Sequence, residues 1–192
     1  MKIFTDEKII ETIRHRLVES RFIHSINVAE SAKDLAVIYG GDEKKCYTAG
    51  LLHDITKNAD DKEHEELFLK GGITLACYEQ NNKKLWHSIS GAEYVKHNTD
   101  IDDEDIYNAV RYHTTGRVGM SLTEKIIYIA DFVSAERNYP DVDVMRMLAV
   151  KSLEEAMLYS LKYTIPDLIK KGQTIHPDSV NLYNELVSSE KG

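Results

Sequence analysis

Cysteine is nearly absent from this chain. Cys46 and Cys77 are the two in 192 residues, and they lack C-x-x-C spacing. That excludes a disulfide scaffold and a cysteine-based zinc site, and leaves two reduced, partly buried thiols. Three prolines (Pro140, Pro166, Pro177) and ten glycines leave the chain with little punctuation. No apolar run approaches the roughly 20 residues of a membrane-spanning helix. The stretch from Met1 to Leu17 mixes charges with its apolar residues, so it lacks the uninterrupted core of a signal peptide, and a cytoplasmic location is expected. A basic excess is missing too. The formal charge of -8 disfavours a nucleic-acid backbone as partner, while leaving room for a local basic patch around a small phosphate ligand.

What the chain does have is apolar residues at helical spacing, which predicts an all-α fold in one domain over residues 1–192. The first helix is expected from Thr5 or Asp6 to about Ser20, with Ile9, Ile10, Ile13 and Leu17 inward. A second runs from near Phe22 to Gly40-Gly41, and Asp42 caps a third from Glu43 to about Leu52. Shorter helices follow over Glu63 to Lys70 and Leu75 to Asn81. Leu85 to His97 is helical, with Gly91-Ala92 admitting a close neighbour, and Glu104 to Tyr112 forms the next helix. Ser121-Leu122-Thr123-Glu124 is a capping box that opens a long helix with Ile126, Ile127, Ile129, Ala130 and Val133 inside. Val144 to Tyr163 reads as one helix that Pro166 interrupts, and Asp178 or Ser179 starts the last, to about Val187.

The chemistry begins at His53-Asp54, two adjacent metal-binding side chains that end the apolar run Ala49-Gly50-Leu51-Leu52. Together a histidine and a carboxylate suit iron, manganese or zinc. His24, His87 and His113 fall at ends or inner faces of predicted helices, and Asp131 sits among Ile127, Tyr128, Ile129, Ala130, Phe132 and Val133. A carboxylate in that company needs a cation or several donors. A helical bundle could bring all six residues together, since bundle cores build metal sites from facing helices. Each residue also has a plainer reading. A buried histidine is commonly a hydrogen-bonded core residue, and Ser134, Glu136 and Arg137 could satisfy Asp131 by themselves. His15, His64 and His97 have charged or polar neighbours and are expected to face solvent. His176 precedes Pro177 in a turn. These four are left outside the site.

Taken in order, several segments resemble one family. They are Arg21-Phe22-Ile23-His24-Ser25, Leu52-His53-Asp54-Ile55-Thr56-Lys57, His87-Ser88-Ile89-Ser90-Gly91-Ala92, Arg111-Tyr112-His113-Thr114-Thr115-Gly116 and Ile129-Ala130-Asp131-Phe132. Their order is that of the HD-domain metal-dependent phosphohydrolases. Lys57, the His-Thr-Thr-Gly turn, Ser134-Ala135-Glu136-Arg137 and Lys171-Gly172-Gln173-Thr174-Ile175-His176-Pro177 resemble more closely their bacterial YqeK branch, the symmetrical diadenosine tetraphosphate hydrolases.

The resemblance implies an HD-domain helical bundle, with a metal-site core at about 21–140 and the C-terminal helices of 143–192 packed on it. It implies His24, His53, Asp54 and Asp131 as primary metal ligands, with His87 and His113 beside them on a second ion or on substrate phosphate. Iron is the implied metal, in a paired or bridged site, with manganese as substitute. Arg21, Lys57, Thr114, Thr115, Arg137, Asn138 and Tyr139 are the implied nucleotide contacts, with Asp54 and Lys57 closest to the chemistry. The plainer readings are a helix-end lysine for Lys57, a salt bridge to Glu136 or Asp141 for Arg137, and local turn bonds for Thr114 and Thr115.

The resemblance also implies the reaction, and the metal supplies its nucleophile. That metal lowers the pKa of bound water from about 15.7 towards 7, and the resulting hydroxide attacks an inner phosphorus so that two ADP leave. The partner is then a small dinucleoside polyphosphate, with no membrane and no nucleic-acid polymer, and a homodimer is the base-rate assembly. Two alternatives stand beside it. One is an HD-type nucleotide phosphatase or dNTP hydrolase; the other is a non-catalytic, metal-containing nucleotide sensor.

Overall fold

A computed structural model describes residues 5–189. The first four residues of the N-terminal stretch considered above, and the last three of the chain, lie outside the described residues. Every regular element among the described residues is helical. In chain order they are α1 (Asp6–Arg16), α2 (Glu19–Tyr39), α3 (Glu43–Leu52), α4 (Asp61–Gly71), α5 (Cys77–Gln80), a 3-10 turn (Lys83–Leu85), α6 (Trp86–Asn98), α7 (Glu104–Tyr112), α8 (Leu122–Val133), α9 (Val142–Lys151), α10 (Leu153–Lys170) and α11 (Pro177–Ser189).

Local signals fix most of the boundaries. Thr5, Asp42, Asp60, Asp103 and Ser121 each accept a hydrogen bond from a backbone N–H of the first turn they precede. Glu124 completes the expected capping box at α8. Gly40 and Gly72 end α2 and α4 in the left-handed conformation.

The structure corrects three expectations. The first helix stops at Arg16 and not at Ser20. There Arg16 donates to the Ile55 carbonyl and Val18 N–H to Asn58 Oδ1, which hold Leu17-Val18 extended before α2 starts at Glu19. The helix expected over Val144 to Tyr163 is two helices. Ser152 is extended, and its hydroxyl accepts from Glu155 N–H to start α10 afresh. Nor does Pro166 interrupt α10, which continues through it to Lys170. A proline there cannot donate to the Lys162 carbonyl, but both residues are exposed and water can take that acceptor.

Helix contacts position the site. Helix α2 lies along α3 and α8, and α7 packs on α3, α6 and α8. A Cβ at Gly50 would come within 2.6 Å of the Ala29 Cα, so glycine is what lets α3 approach α2 and carry His53 and Asp54 to His24. A Cβ at Gly91 would meet Val110 at 3.2 Å, so α6 lies against α7 and His87 comes beside His113. Ile13, Leu51, Ile127 and Met157 belong to one buried cluster, and α9 and α10 also pack on α8.

Candidate metal centre

The six residues singled out from the sequence converge. His24 comes from α2, His53 and Asp54 from the end of α3, His87 from α6, His113 from the end of α7 and Asp131 from α8. His24 Nε2 is 3.2 Å from His53 Nε2 and 3.0 Å from Asp131 Oδ1. His87 Nε2 is 3.1 Å from both His113 Nε2 and Asp54 Oδ1. Two sets place a ligand atom from each member within 4.8 Å of the others: His24, His53 and Asp131, and His53, Asp54 and His113. His53 is common to both.

Second nitrogens explain why the rings point inward. His53 Nδ1–H donates to the Gly50 carbonyl at 2.7 Å, and His113 Nδ1–H donates to the Val110 carbonyl at 2.8 Å. His24 Nδ1 is bonded to Glu136 Oε1, and that carboxylate also accepts from Ser134 Oγ at 2.8 Å and Asn27 Nδ2 at 2.7 Å. With Nδ1 bound elsewhere, each of these rings turns its Nε2 into the centre, which is how metal-ligating histidines are oriented. Imidazole nitrogens about 3 Å apart are held together by a proton or a cation between them.

Protonation follows from burial and charge. Burial pulls the His53 imidazole down to about 3 and the His87 imidazole down to about 4, so both are neutral and able to ligate at pH 7. Burial also pulls on His24, but its bonds to Asp131 and Glu136 outweigh that and hold it above its ordinary value. Burial would raise Asp54 and Asp131. For Asp54, the His53, His113 and His87 rings hold the carboxyl well below the ordinary range, and for Asp131 the His24 bond and Arg137 do the same. The centre therefore favours positive charge.

The fit to a cation rests on Asp54. Its Oδ1 is buried with no hydrogen-bond partner of acceptable geometry, although His87 Nε2, Lys57 Nζ and His113 Nε2 lie at 3.1, 3.4 and 3.7 Å. A buried carboxylate oxygen without a donor is costly, and a divalent ion would satisfy it together with the histidine lone pairs. Asp131 is a weaker witness, because Arg137 Nη2 bonds its Oδ1 and Arg137 Nε donates to its carbonyl at 2.7 Å. The internal salt bridge considered from sequence is present, with Asp131 as the partner of Arg137 in place of Glu136 or Asp141.

Around the centre stand the expected cations. Arg21 Nη1 is 3.1 Å from Asp54 Oδ2, and Lys57 Nζ is 2.9 Å from His87 Nε2. Thr114 is exposed, whereas Thr115 is buried and its hydroxyl donates to the Gly116 carbonyl, the local turn role. Asn138 is exposed, and Tyr139 donates its hydroxyl to the Phe132 carbonyl.

Of the excluded histidines, His15 faces solvent, but His64 and His176 do not. His64 packs on Phe68 and Trp86, and its Nδ1 is 2.7 Å from Ser90 Oγ. His176 is buried against Tyr78, with its Nε2 3.4 Å from Glu79 Oε1. Neither reaches the centre. Glu136 was missed as an orienting group for His24. Its one sequence signal is its place, five residues beyond Asp131.

The HD domain family matches residues 21–136, a span holding all six converging residues and Glu136. An HD domain binds a divalent metal, and the His and Asp groups above supply ligands for one. A protein of Bacillus subtilis (strain 168) named "Bis(5'-nucleosyl)-tetraphosphatase, symmetrical" is 38% identical over 182 residues, which is 95% of this chain and 97% of that one. A protein of the same name from Halalkalibacterium halodurans is 39% identical over 184 residues, 96% of this chain and 98% of that one. A crystal structure described as a predicted HD superfamily hydrolase involved in NAD metabolism, from Clostridium acetobutylicum, is 37% identical with a TM-score of 0.94 and covers 97% of this chain and 99% of its own. This chain belongs to the HD domain family, in the group of its symmetrical bis(5'-nucleosyl)-tetraphosphatase relatives.

Proposed function

We propose that the chain hydrolyses dinucleoside tetraphosphates symmetrically, taking diadenosine tetraphosphate to two ADP, with iron as resident metal and manganese as substitute. The observation that carries this reading is a buried His and Asp centre, ringed by Arg21, Lys57 and Arg137, in a chain similar over nearly its full length to proteins named for that reaction.

His24, His53, Asp54 and Asp131 would hold the metal, with His113, and His87 beside it, on the second ion or the phosphate. When bound, the cation supplies Lewis-acid activation of water and neutralises phosphate charge. Asp54 stays ionised far below neutral pH, so it acts as ligand and as orienting acceptor for the attacking water, not as a proton reservoir. Lys57 Nζ, within 3.4 Å of Asp54 Oδ1, and Arg21 on the other carboxylate oxygen present positive charge where the bridging phosphates must lie. Arg137, fixed to Asp131 through two bonds, adds positive charge beside that carboxylate. A strong general acid is unnecessary, because a nucleoside diphosphate is a good leaving group. The same reading takes the reaction as cytoplasmic and a homodimer as the commonest assembly.

A substrate panel tests it. Iron- or manganese-loaded protein is expected to release ADP from diadenosine tetraphosphate faster than it releases orthophosphate from AMP or triphosphate from a dNTP. Orthophosphate from AMP with no ADP from diadenosine tetraphosphate would overturn the reading.

A further inference from the structure

His64 does not touch the centre, but a line of hydrogen bonds runs from it to His87. His64 Nδ1 is 2.7 Å from Ser90 Oγ, Ser90 Oγ is 2.8 Å from Thr56 Oγ1, and Thr56 Oγ1 is 2.8 Å from the His87 carbonyl. All four residues are buried, and they come from α4, α6 and the turn after α3. That turn, residues 53–58, carries Asp54 and Lys57, with Thr56 between them. Arg16 of α1 braces the same turn through the Ile55 carbonyl at 3.1 Å and pairs with Glu63, the neighbour of His64.

One arrangement of protons satisfies every contact in the line. A carbonyl can only accept, so the Thr56 hydroxyl gives its single proton to His87. Ser90 must then donate to Thr56 Oγ1 and, with no second proton, must accept from His64. His64 is therefore the tautomer with its proton on Nδ1. Burial holds this imidazole below its ordinary value, so it is neutral at pH 7, and Phe68 and Trp86 pack against the ring. At the far end, His87 Nε2 is 3.1 Å from Asp54 Oδ1 and 2.9 Å from Lys57 Nζ. The seating of α6 on the turn thus sets the distances among these three groups.

We propose that His64 is a positioning residue for the reaction: through Ser90 and Thr56 it fixes α6 on the turn after α3, and so holds His87 and Lys57 in place beside Asp54. The rate it governs rests on the phosphoanhydride reading above; the line of bonds does not. His64 itself touches neither ligand nor substrate in this role. It acts as the terminal donor, without which the Ser90 hydroxyl loses the partner that orients it.

Two measurements test this. ¹⁵N NMR of zinc-loaded, diamagnetic protein should show His64 neutral with its proton on Nδ1, and the His87 ring signals should shift in His64→Phe and return in His64→Asn. With manganese-loaded protein and diadenosine tetraphosphate, His64→Phe and Ser90→Ala should each lower kcat about tenfold, and the double variant should fall no further than either single one. His64→Asn, whose amide can donate from the place of Nδ1, should restore most of the rate. A packing role predicts the reverse order, since phenylalanine fills the space against Phe68 and Trp86 and asparagine does not. A proton on His64 Nε2, a wild-type rate in His64→Phe, a slower rate in His64→Asn than in His64→Phe, or additive losses in the double variant would overturn the proposal. Wild type that cleaves no diadenosine tetraphosphate would defeat the proposed function, and the His64 and His87 signals would then decide the positioning role by themselves.

Discussion

The Nε2 atoms of His24 and His53 face each other at 3.2 Å, brought together from positions 29 residues apart by the contact of α2 with α3. Each ring is fixed through Nδ1, and His24 Nε2 also meets Asp131 Oδ1 at 3.0 Å. Removing one of the pair should weaken a site that would hold a divalent ion. His53→Ala is expected to lower metal content below half that of wild type and kcat by about a thousandfold, the equivalent of several kcal/mol of transition-state stabilisation. Elemental analysis beside steady-state rates checks this, with the far-ultraviolet circular dichroism unchanged.

Glu136 should behave as an orienting group for His24. Glu136→Gln keeps the shape but weakens the bond to Nδ1, and such changes typically cost 10- to 100-fold in metal affinity. Competition titration with a chelator measures the loss. Asn27→Ala, which removes the second support of that carboxylate, should act in the same direction and less strongly.

Gly50 lets α3 approach α2 closely at Ala29. Gly50→Ala forces its Cβ to within 2.6 Å of the Ala29 Cα, and overpacking of that kind costs about 1 to 3 kcal/mol. Urea denaturation should show the loss, and metal affinity should fall with it, because the same displacement moves His53 away from His24.

Stability of the metal-free protein should decline in mild acid. His53 and His87 titrate at about 3 and about 4 when folded, against an ordinary value of 6.5 that the unfolded chain regains. Below pH 6.5 the unfolded state therefore binds more protons than the folded state. The stabilisation is complete above that pH and is lost as pH falls, down to about 4 for His87 and about 3 for His53. Within its window each group changes the folding equilibrium by about tenfold per pH unit. Burial shifts His64 in the same direction. His24, held above its ordinary value, opposes them only near and above pH 6.5. Denaturation midpoints measured in chelator at pH 7, 6 and 5 should fall steadily; a constant or rising midpoint would contradict the assignment.

The centre was legible because its residues break the local pattern. His53-Asp54 and His113 stand at the ends of apolar helices, and Asp131 interrupts one. Elsewhere the signals were present but outweighed. His64 has acidic sequence neighbours, but its face of α4 is set by Leu67 and Phe68, three and four residues on, and that face is buried. Ser152 with Glu155 three residues later marked a helix start that continuous apolar spacing hid. Glu136 and His176 could not be placed. Their roles depend on partners 112 and 97 residues away, a pairing that periodicity does not encode.

Hydrolysis of diadenosine tetraphosphate in ¹⁸O-enriched water, with the nucleotide products separated and weighed by mass spectrometry, tests the central claim most directly. Attack at an inner phosphorus predicts ADP as the sole nucleotide product, half of it carrying a single ¹⁸O on its terminal phosphate. ATP and AMP in equal amounts, or ADP without label, would contradict it.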